Sequence, residues 1–179
     1  MKLVILDRDG VINYDSDDYI KSVDEFVFIP GSIEAIARLN QAGYRVAVAT
    51  NQSGIGRGYF TLDTLNQMHA KLTRALAAIG GQIEIIAYCP HSPEDACDCR
   101  KPKSGMLLDI GRRMNVSLKS IPVIGDSLRD LESARSVGAQ PILVKTGKGE
   151  RTLAKGNGLV NVPVYENLSA AVDALLKEE

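Results

Sequence analysis

The chain has 179 residues, 45% hydrophobic and 24% charged, with a formal net charge of −1 and no tryptophan. That length buries a full core without disulfides, and the balanced charge gives no electrostatic pull toward nucleic acid or a membrane surface. The first apolar run stops at Asp7, no stretch approaches the roughly 20 residues of a membrane helix, and three cysteines are an odd set for a disulfide framework. One cytoplasmic domain over residues 1–179 is expected, with nothing demanding more than a monomer.

Leu3-Val4-Ile5-Leu6 reads as a strand buried on both faces. It ends in Asp7-Arg8-Asp9-Gly10, two carboxylates where an open α/β sheet holds its ligands, with a glycine to turn the chain away. The D-x-D-G start resembles a calcium loop. That pattern fails, because Val11 takes the third ligand position, Ile12 the glycine position and Asp18 the terminal glutamate position. Residues 14–30 are a polar connector, and Asp15 to Asp18 is either a solvated loop or a flap over whatever Asp7 attacks.

Pro30-Gly31-Ser32 opens a helix with Ser32 as its cap, and Gly43 ends it. Tyr44 to Ala49 is a second buried strand running into Thr50-Asn51-Gln52-Ser53, hydroxyls and amides able to donate to a phosphate. The glycines at 54, 56 and 58 fit no dinucleotide fingerprint and no Walker loop, and Arg57 among them is a candidate anion contact. A helix spans Thr61 to Ile79, where His69 reads as a surface or packing residue, and Gln82 to Tyr88 is a third strand.

Every cysteine and one of the two histidines then fall in an eleven-residue window: Cys89, His91, Cys97 and Cys99. Three thiolates and an imidazole are the usual make-up of a closed, structural zinc site, which would tie down a loop with little hydrophobic reason to fold. Free thiols or a redox pair are the competing readings. Arg100 and Lys101 follow at once, and fixed positive charge on a rigid loop suits a phosphate; Lys103 reads as a surface residue.

A helix over Ser104 to Met114 leads to a fourth strand, Ile121 to Ile124, which ends in Gly125-Asp126-Ser127-Leu128-Arg129-Asp130. A helix over Leu131 to Val137, a fifth strand over Pro141 to Val144, a mobile-looking basic loop at 145–149 and a helix over Asn167 to Lys177 complete the chain. Strands alternating with helices predict a doubly wound parallel sheet. Its strand ends bring Asp7, Asp9, Thr50 and Asp126 to one pole. Clustered carboxylates call for a hard cation, and an all-oxygen donor set suits Mg²⁺. Carboxylate, Mg²⁺, lysine and hydroxyl together are a phosphoryl-transfer constellation.

DRDGVIN, Thr50, Lys101 before a proline, and GDSLRD resemble, in order, the four motifs of haloacid dehalogenase superfamily phosphatases. TNQSGIGRGYF, the Cys-x-His and Cys-x-Cys loop, and RKP look like the heptose bisphosphate phosphatases within it. The resemblance implies a Rossmann-like α/β sheet with no separate cap domain, and removal of the 7-phosphate of D-glycero-D-manno-heptose 1,7-bisphosphate, a sugar bisphosphate, in making ADP- or GDP-heptose for lipopolysaccharide. It implies that Asp7 is the nucleophile, forming an aspartyl-phosphate, and Asp9 the general acid and base. Thr50 and Lys101 would steady the phosphoryl group. Asp7, the Asp9 carbonyl and Asp126 would hold Mg²⁺. Asp15, Asp18, Asn51, Gln52, Ser53 and Arg100 would meet the substrate, and Asp130 would orient the metal end. Histidinol-phosphate phosphatase, polynucleotide 3′-phosphatase and a non-catalytic phosphosugar-binding protein are the alternatives to exclude.

Overall fold

Val4 and Leu6 of β1 (Lys2–Leu6) enter one hydrophobic cluster while Leu3 and Ile5 enter another, as the two-residue period of a strand requires. The computed structural model describes residues 2–178. The other strands are β2 (Tyr44–Asn51), β3 (Ile85–Cys89), β4 (Pro122–Gly125), β5 (Gln140–Val144) and β6 (Val164–Tyr165). The helices are α1 (Ser32–Gln41), α2 (Ser53–Gly56), α3 (Leu62–Ala77), α4 (Gly105–Met114), α5 (Leu128–Ser136), α6 (Gly149–Lys155) and α7 (Leu168–Lys177), with a 3₁₀ turn at Pro93–Asp95.

All five strand pairings are parallel, in the order β3-β2-β1-β4-β5-β6. Leu39 of α1, Leu65, Met68, Leu72 and Leu76 of α3, and Val172 of α7 cover the face that carries Val4, Leu6, Val46 and Val48. Met106, Leu107 and Ile110 of α4 with Ala134 of α5 cover the face of Leu3, Ile5, Ala47 and Ala49. β1 sits at the switch point of the sheet, with β2 on one side and β4 on the other, so a crevice opens beyond the carboxyl ends of these three strands. No inserted domain interrupts the described chain between β1 and α1 or between β2 and β3. Among the described residues no helix is long and apolar enough to cross a membrane.

Several boundaries differ from the sequence expectations. The N-cap of α1 is Gly31, at φ +87°, and not Ser32, whose buried hydroxyl donates instead to the Val11 carbonyl at 2.8 Å. α5 begins at Leu128, three residues early, because Ser127 and Asp130 form a capping box. The 145–149 loop is the lead-in to α6, and β6 adds a two-residue sixth strand, too short to announce itself by alternation. Thr61 does cap α3, its side chain accepting from the Thr64 N–H.

Candidate active site

Asp7 follows β1 directly, its N–H donating to the Ile124 carbonyl of β4 at 2.9 Å, so sheet hydrogen bonding fixes its backbone. Gly10 then turns the chain at φ +87°, and a Cβ there would lie 2.0 Å from Asp126 Oδ2. Only glycine lets the two acidic strand ends come this close. Asp7, Asp126 and Asp130 each offer a carboxylate oxygen within 4.8 Å of the others.

Lys101 reaches into this group, 95% buried, its ammonium donating to Asp130 Oδ1 at 2.6 Å, the Ala49 carbonyl at 2.8 Å and Asp7 Oδ1 at 3.0 Å. Burial alone would lower its pKa, but Asp130 and Asp7 outweigh that and hold it well above the ordinary lysine value. The peptide between Lys101 and Pro102 is cis. Asp130 Oδ2 meanwhile accepts from Ser127 Oγ, Ser127 N–H and Asp126 N–H at 2.9, 3.1 and 3.2 Å, so the α5 cap and the ion pair share one side chain.

One ammonium does not balance three carboxylates. Burial and the Asp130 charge, against the pull of Lys101, push Asp7 up to about 6. Asp126 is raised too, by burial and by Asp7 and Asp130, although the Lys148 N–H donates to its Oδ2 at 2.8 Å. Two buried carboxylates with raised pKa values beside a third are a deficit of positive charge that a divalent cation would fill.

Asp9 differs. Its Oδ1 accepts from Asn13 Nδ2 at 2.8 Å and from Arg8 Nε at 2.9 Å, and its Oδ2 accepts from Gln52 Nε2 at 3.0 Å. Burial would raise its pKa, but the Arg8 charge and these hydrogen bonds overcome it and lower it. Gln52 Nε2 also donates to Thr50 Oγ1 at 2.8 Å, while the threonine hydroxyl has the Asn51 carbonyl as a distant acceptor at 3.5 Å.

These groups floor a cavity of about 260 Å³ whose wall includes Asp7, Asp9, Asn51, Gln52, Ser53, Lys101 and Asp126. Asn51 is oriented from both ends by the Lys101 backbone, accepting from its N–H at 3.0 Å and donating to its carbonyl at 3.2 Å. Two expected residues are not on that wall: Thr50 stands behind Gln52, and Asp18 is exposed, its carbonyl accepting from Lys21 Nζ at 2.7 Å. Asp15 is on the wall, paired with Lys148 at 2.6 Å, while Asp17 pairs with Arg151 at 3.0 Å. The connector is thus fastened to the segment before and within α6.

The rim carries Arg57, Arg100 and Arg129, none of which makes an ion pair with a carboxylate among the described residues. Arg100 Nη1 is buried without a hydrogen-bond partner, and burial together with the charges of Arg129 and Arg57 lowers its pKa. Sequence reasoning missed Arg129 and Lys148. Arg129 lies three residues past Asp126 on the first turn of α5, a spacing that became a signal only with the correct helix start.

Below Arg100 the zinc expectation has a geometric counterpart. Cys89 Sγ lies 3.6 Å from Cys97 Sγ and 3.0 Å from Cys99 Sγ, and His91 Nδ1 lies 3.5 Å from Cys89 Sγ and 3.3 Å from Cys99 Sγ. The sulfurs are too far apart for a disulfide; tetrahedral zinc at ordinary bond lengths sets such edges at about 3.5–3.8 Å, which the Cys89–Cys97 and Cys89–His91 distances match, while Cys99 lies closer in. Lys103, exposed as expected, donates to the Cys97 carbonyl at 2.7 Å.

A family model described as "HAD-hyrolase-like" matches residues 98–171, and one for "Polynucleotide kinase 3 phosphatase" matches residues 2–129. The D-glycero-beta-D-manno-heptose-1,7-bisphosphate 7-phosphatase of Pseudomonas aeruginosa is 59% identical over 177 residues, 98% of either chain. The D,D-heptose 1,7-bisphosphate phosphatase of Bordetella bronchiseptica, solved with magnesium and phosphate, superposes with a TM-score of 0.98 at 53% identity, covering 100% of both chains. The corresponding enzyme of Burkholderia thailandensis does so with a TM-score of 0.79 at 48% identity, covering 98% of this chain and 99% of that one. With a DxD strand end, a buried lysine and an acidic β4 end on a parallel sheet, this chain belongs to the heptose bisphosphate phosphatase family of haloacid dehalogenase-like phosphoric monoester hydrolases.

Proposed function

We propose that this phosphatase removes the 7-phosphate of D-glycero-β-D-manno-heptose 1,7-bisphosphate. The observation that carries the reading is the pairing of an acidic, lysine-bearing floor with a rim of three arginines that lack counter-charges. A single phosphate needs only the floor. A bisphosphate also supplies an anion for the rim, where Arg100 presents an unpartnered Nη1. The β configuration follows the named relatives in Pseudomonas and Bordetella.

Asp7, the Asp9 carbonyl and Asp126 would hold Mg²⁺, which when bound neutralises charge on the transferring phosphoryl group. The Asp7 carboxylate forms a bond to phosphorus while the bond from phosphorus to the sugar oxygen breaks. That oxygen keeps the electron pair and takes a proton from Asp9, which would carry it once the negative substrate phosphate beside it opposes the charge of Arg8. A water oxygen then bonds to phosphorus as the bond to Asp7 breaks, Asp9 takes the water proton, and inorganic phosphate leaves. Lys101 holds its charge beside the phosphoryl group throughout, and Gln52 holds the Thr50 hydroxyl in place by donating to its Oγ1. Asp15, Asn51, Ser53 and Arg57 form the sugar-facing wall; Asp18, exposed, acts at most through the shape of its loop. The Cys89, His91, Cys97 and Cys99 set would hold Zn²⁺ as a structural tie for Arg100 and Lys101.

Phosphate release with Mg²⁺ tests the reading on a panel of both heptose bisphosphate anomers, fructose 1,6-bisphosphate, histidinol phosphate and a 3′-phosphorylated oligonucleotide. The expected result is a kcat/KM at least about 100-fold higher on the β anomer than on any other member, abolished in Asp7→Asn. Equal rates across the panel, or a preference for the oligonucleotide, would overturn the substrate assignment.

A further inference from the structure

Arg8, the residue between the two catalytic aspartates, does not face the substrate. Its side chain is 0% exposed and runs beneath Asp9 into the cluster between the sheet and α3. Nε donates to Asp9 Oδ1 at 2.9 Å, and Nη2 lies 2.8 Å from the same oxygen. Nη1 meets His69 Nε2 at 3.2 Å and Met68 Sδ at 3.7 Å, both on α3. The guanidinium carbon lies 4.9 Å from the centroid of the Phe26 ring, which is itself fully buried.

The fold has no need of a charge there. The surrounding side chains are Met68, Phe26 and other apolar residues, and a buried ion pair is often matched or bettered in stability by apolar residues of similar volume. What an apolar residue would not do is fix Asp9. Arg8 and Asn13 together saturate Oδ1, so Oδ2, with its one partner Gln52, is the oxygen left toward the cavity. His69 supplies the far anchor. Burial and the Arg8 charge push its pKa down to about 4, so the ring is neutral at pH 7 and Nε2 accepts the Arg8 N–H.

We propose that Arg8, braced by His69 of α3, is a positioning residue for the general acid, holding Asp9 by Oδ1 so that Oδ2 alone delivers the proton to the sugar oxygen and collects it from water. The inference rests on the phosphatase chemistry proposed above, and deepens it with two residues outside the substrate wall. α3 thereby acquires a share in proton transfer although none of its residues lines the cavity.

The test exploits leaving groups. A sugar alkoxide needs a proton as the phosphorus–oxygen bond breaks, whereas p-nitrophenolate does not. Arg8→Met keeps the volume and removes the anchor. The expected result is a fall of about 100-fold in kcat on heptose bisphosphate with KM changed less than threefold, the scale of a lost general acid. With p-nitrophenyl phosphate the variant should still release its first equivalent of p-nitrophenolate at near the wild-type rate, then turn over slowly, because the water step also needs Asp9. His69→Leu leaves the Arg8–Asp9 pair in place and should show the same split at about tenfold, which keeps the proposal testable should Arg8→Met fail to fold. Equal losses in the first step on both substrates, or no loss on either, would overturn it. Should wild-type enzyme ignore heptose bisphosphate, the substrate reading fails and the same comparison is made with glucose 6-phosphate, whose alkoxide has the same need.

Discussion

Lys101 Nζ lies nearer to Asp130 Oδ1, at 2.6 Å, than to Asp7 Oδ1, at 3.0 Å. Its nearer counter-ion is therefore Asp130 and not Asp7, so in the aspartyl-phosphate mechanism proposed above the lysine would stay anchored while Asp7 is phosphorylated and freed. Removing one partner of a buried pair strands the other charge. Asp130→Asn should lower kcat about 100-fold and cost about 3 kcal/mol of stability, read from initial rates and from the urea midpoint. A variant with wild-type midpoint and rate would show that Asp7 alone suffices to hold the lysine.

Arg129 is expected to act in recognition and not in the chemistry. It sits on the rim, exposed and without a carboxylate partner, while the reacting groups lie on the floor. Arg129→Gln should lower kcat/KM on a sugar bisphosphate about tenfold, the value of one charge-assisted hydrogen bond, and leave p-nitrophenyl phosphate unchanged. Parallel losses on both would place Arg129 in the chemistry instead.

Zinc is expected to act at one remove from catalysis. Cys97→Ala should abolish zinc content by metal analysis of protein purified without chelator. KM for the bisphosphate should rise more than kcat falls, because Arg100 follows the last ligand. Wild-type protein containing no zinc would defeat the assignment.

His69 makes stability depend on pH. Its folded pKa is about 4 against an ordinary 6.5, lowered by burial and then by the Arg8 charge. Between those values the unfolded chain binds a proton that the folded chain refuses, so the contribution of the neutral ring is complete above pH 6.5 and is lost as pH falls toward 4. The full difference is on the order of 3 kcal/mol. Urea midpoints at pH 7.5 and 4.5 should therefore drop further for wild type than for His69→Gln, which keeps an acceptor but cannot titrate. Equal drops would mean that the ring is already charged in the fold.

The readable parts of the sequence were those where one local rule decides. A strand buried on both faces and cut off by Asp7 identifies itself, and a Cys-x-His followed by Cys-x-Cys allows few other chemistries. The parallel sheet followed from alternation with helices, and the ends of β1, β2 and β4 meet at one pole as expected. The misses share a cause, which is that a side chain served a partner remote in sequence. Ser32 looks like a cap but bonds Val11, and while His69 is the packing residue expected, its partner Arg8 lies sixty-one residues away. Asp130 was read for its charge, though its second oxygen caps α5 and moves the helix start to Leu128. Lys148 looked mobile because its partners, Asp15 and Asp126, come from other strand ends.

The metal-loop geometry also bears on how this family can vary. With zinc bound to the proposed four-ligand set, His91 and Cys97 would both be pinned, so the residues between them would begin and end at fixed points in space. Of these, Pro93, Glu94, Asp95 and Ala96 are exposed, and their short turn is closed by its own Ser92–Asp95 hydrogen bonds. The cluster thus works as a bulkhead. A change on its outer side would then leave Arg100 and Lys101, on its inner side, in their positions.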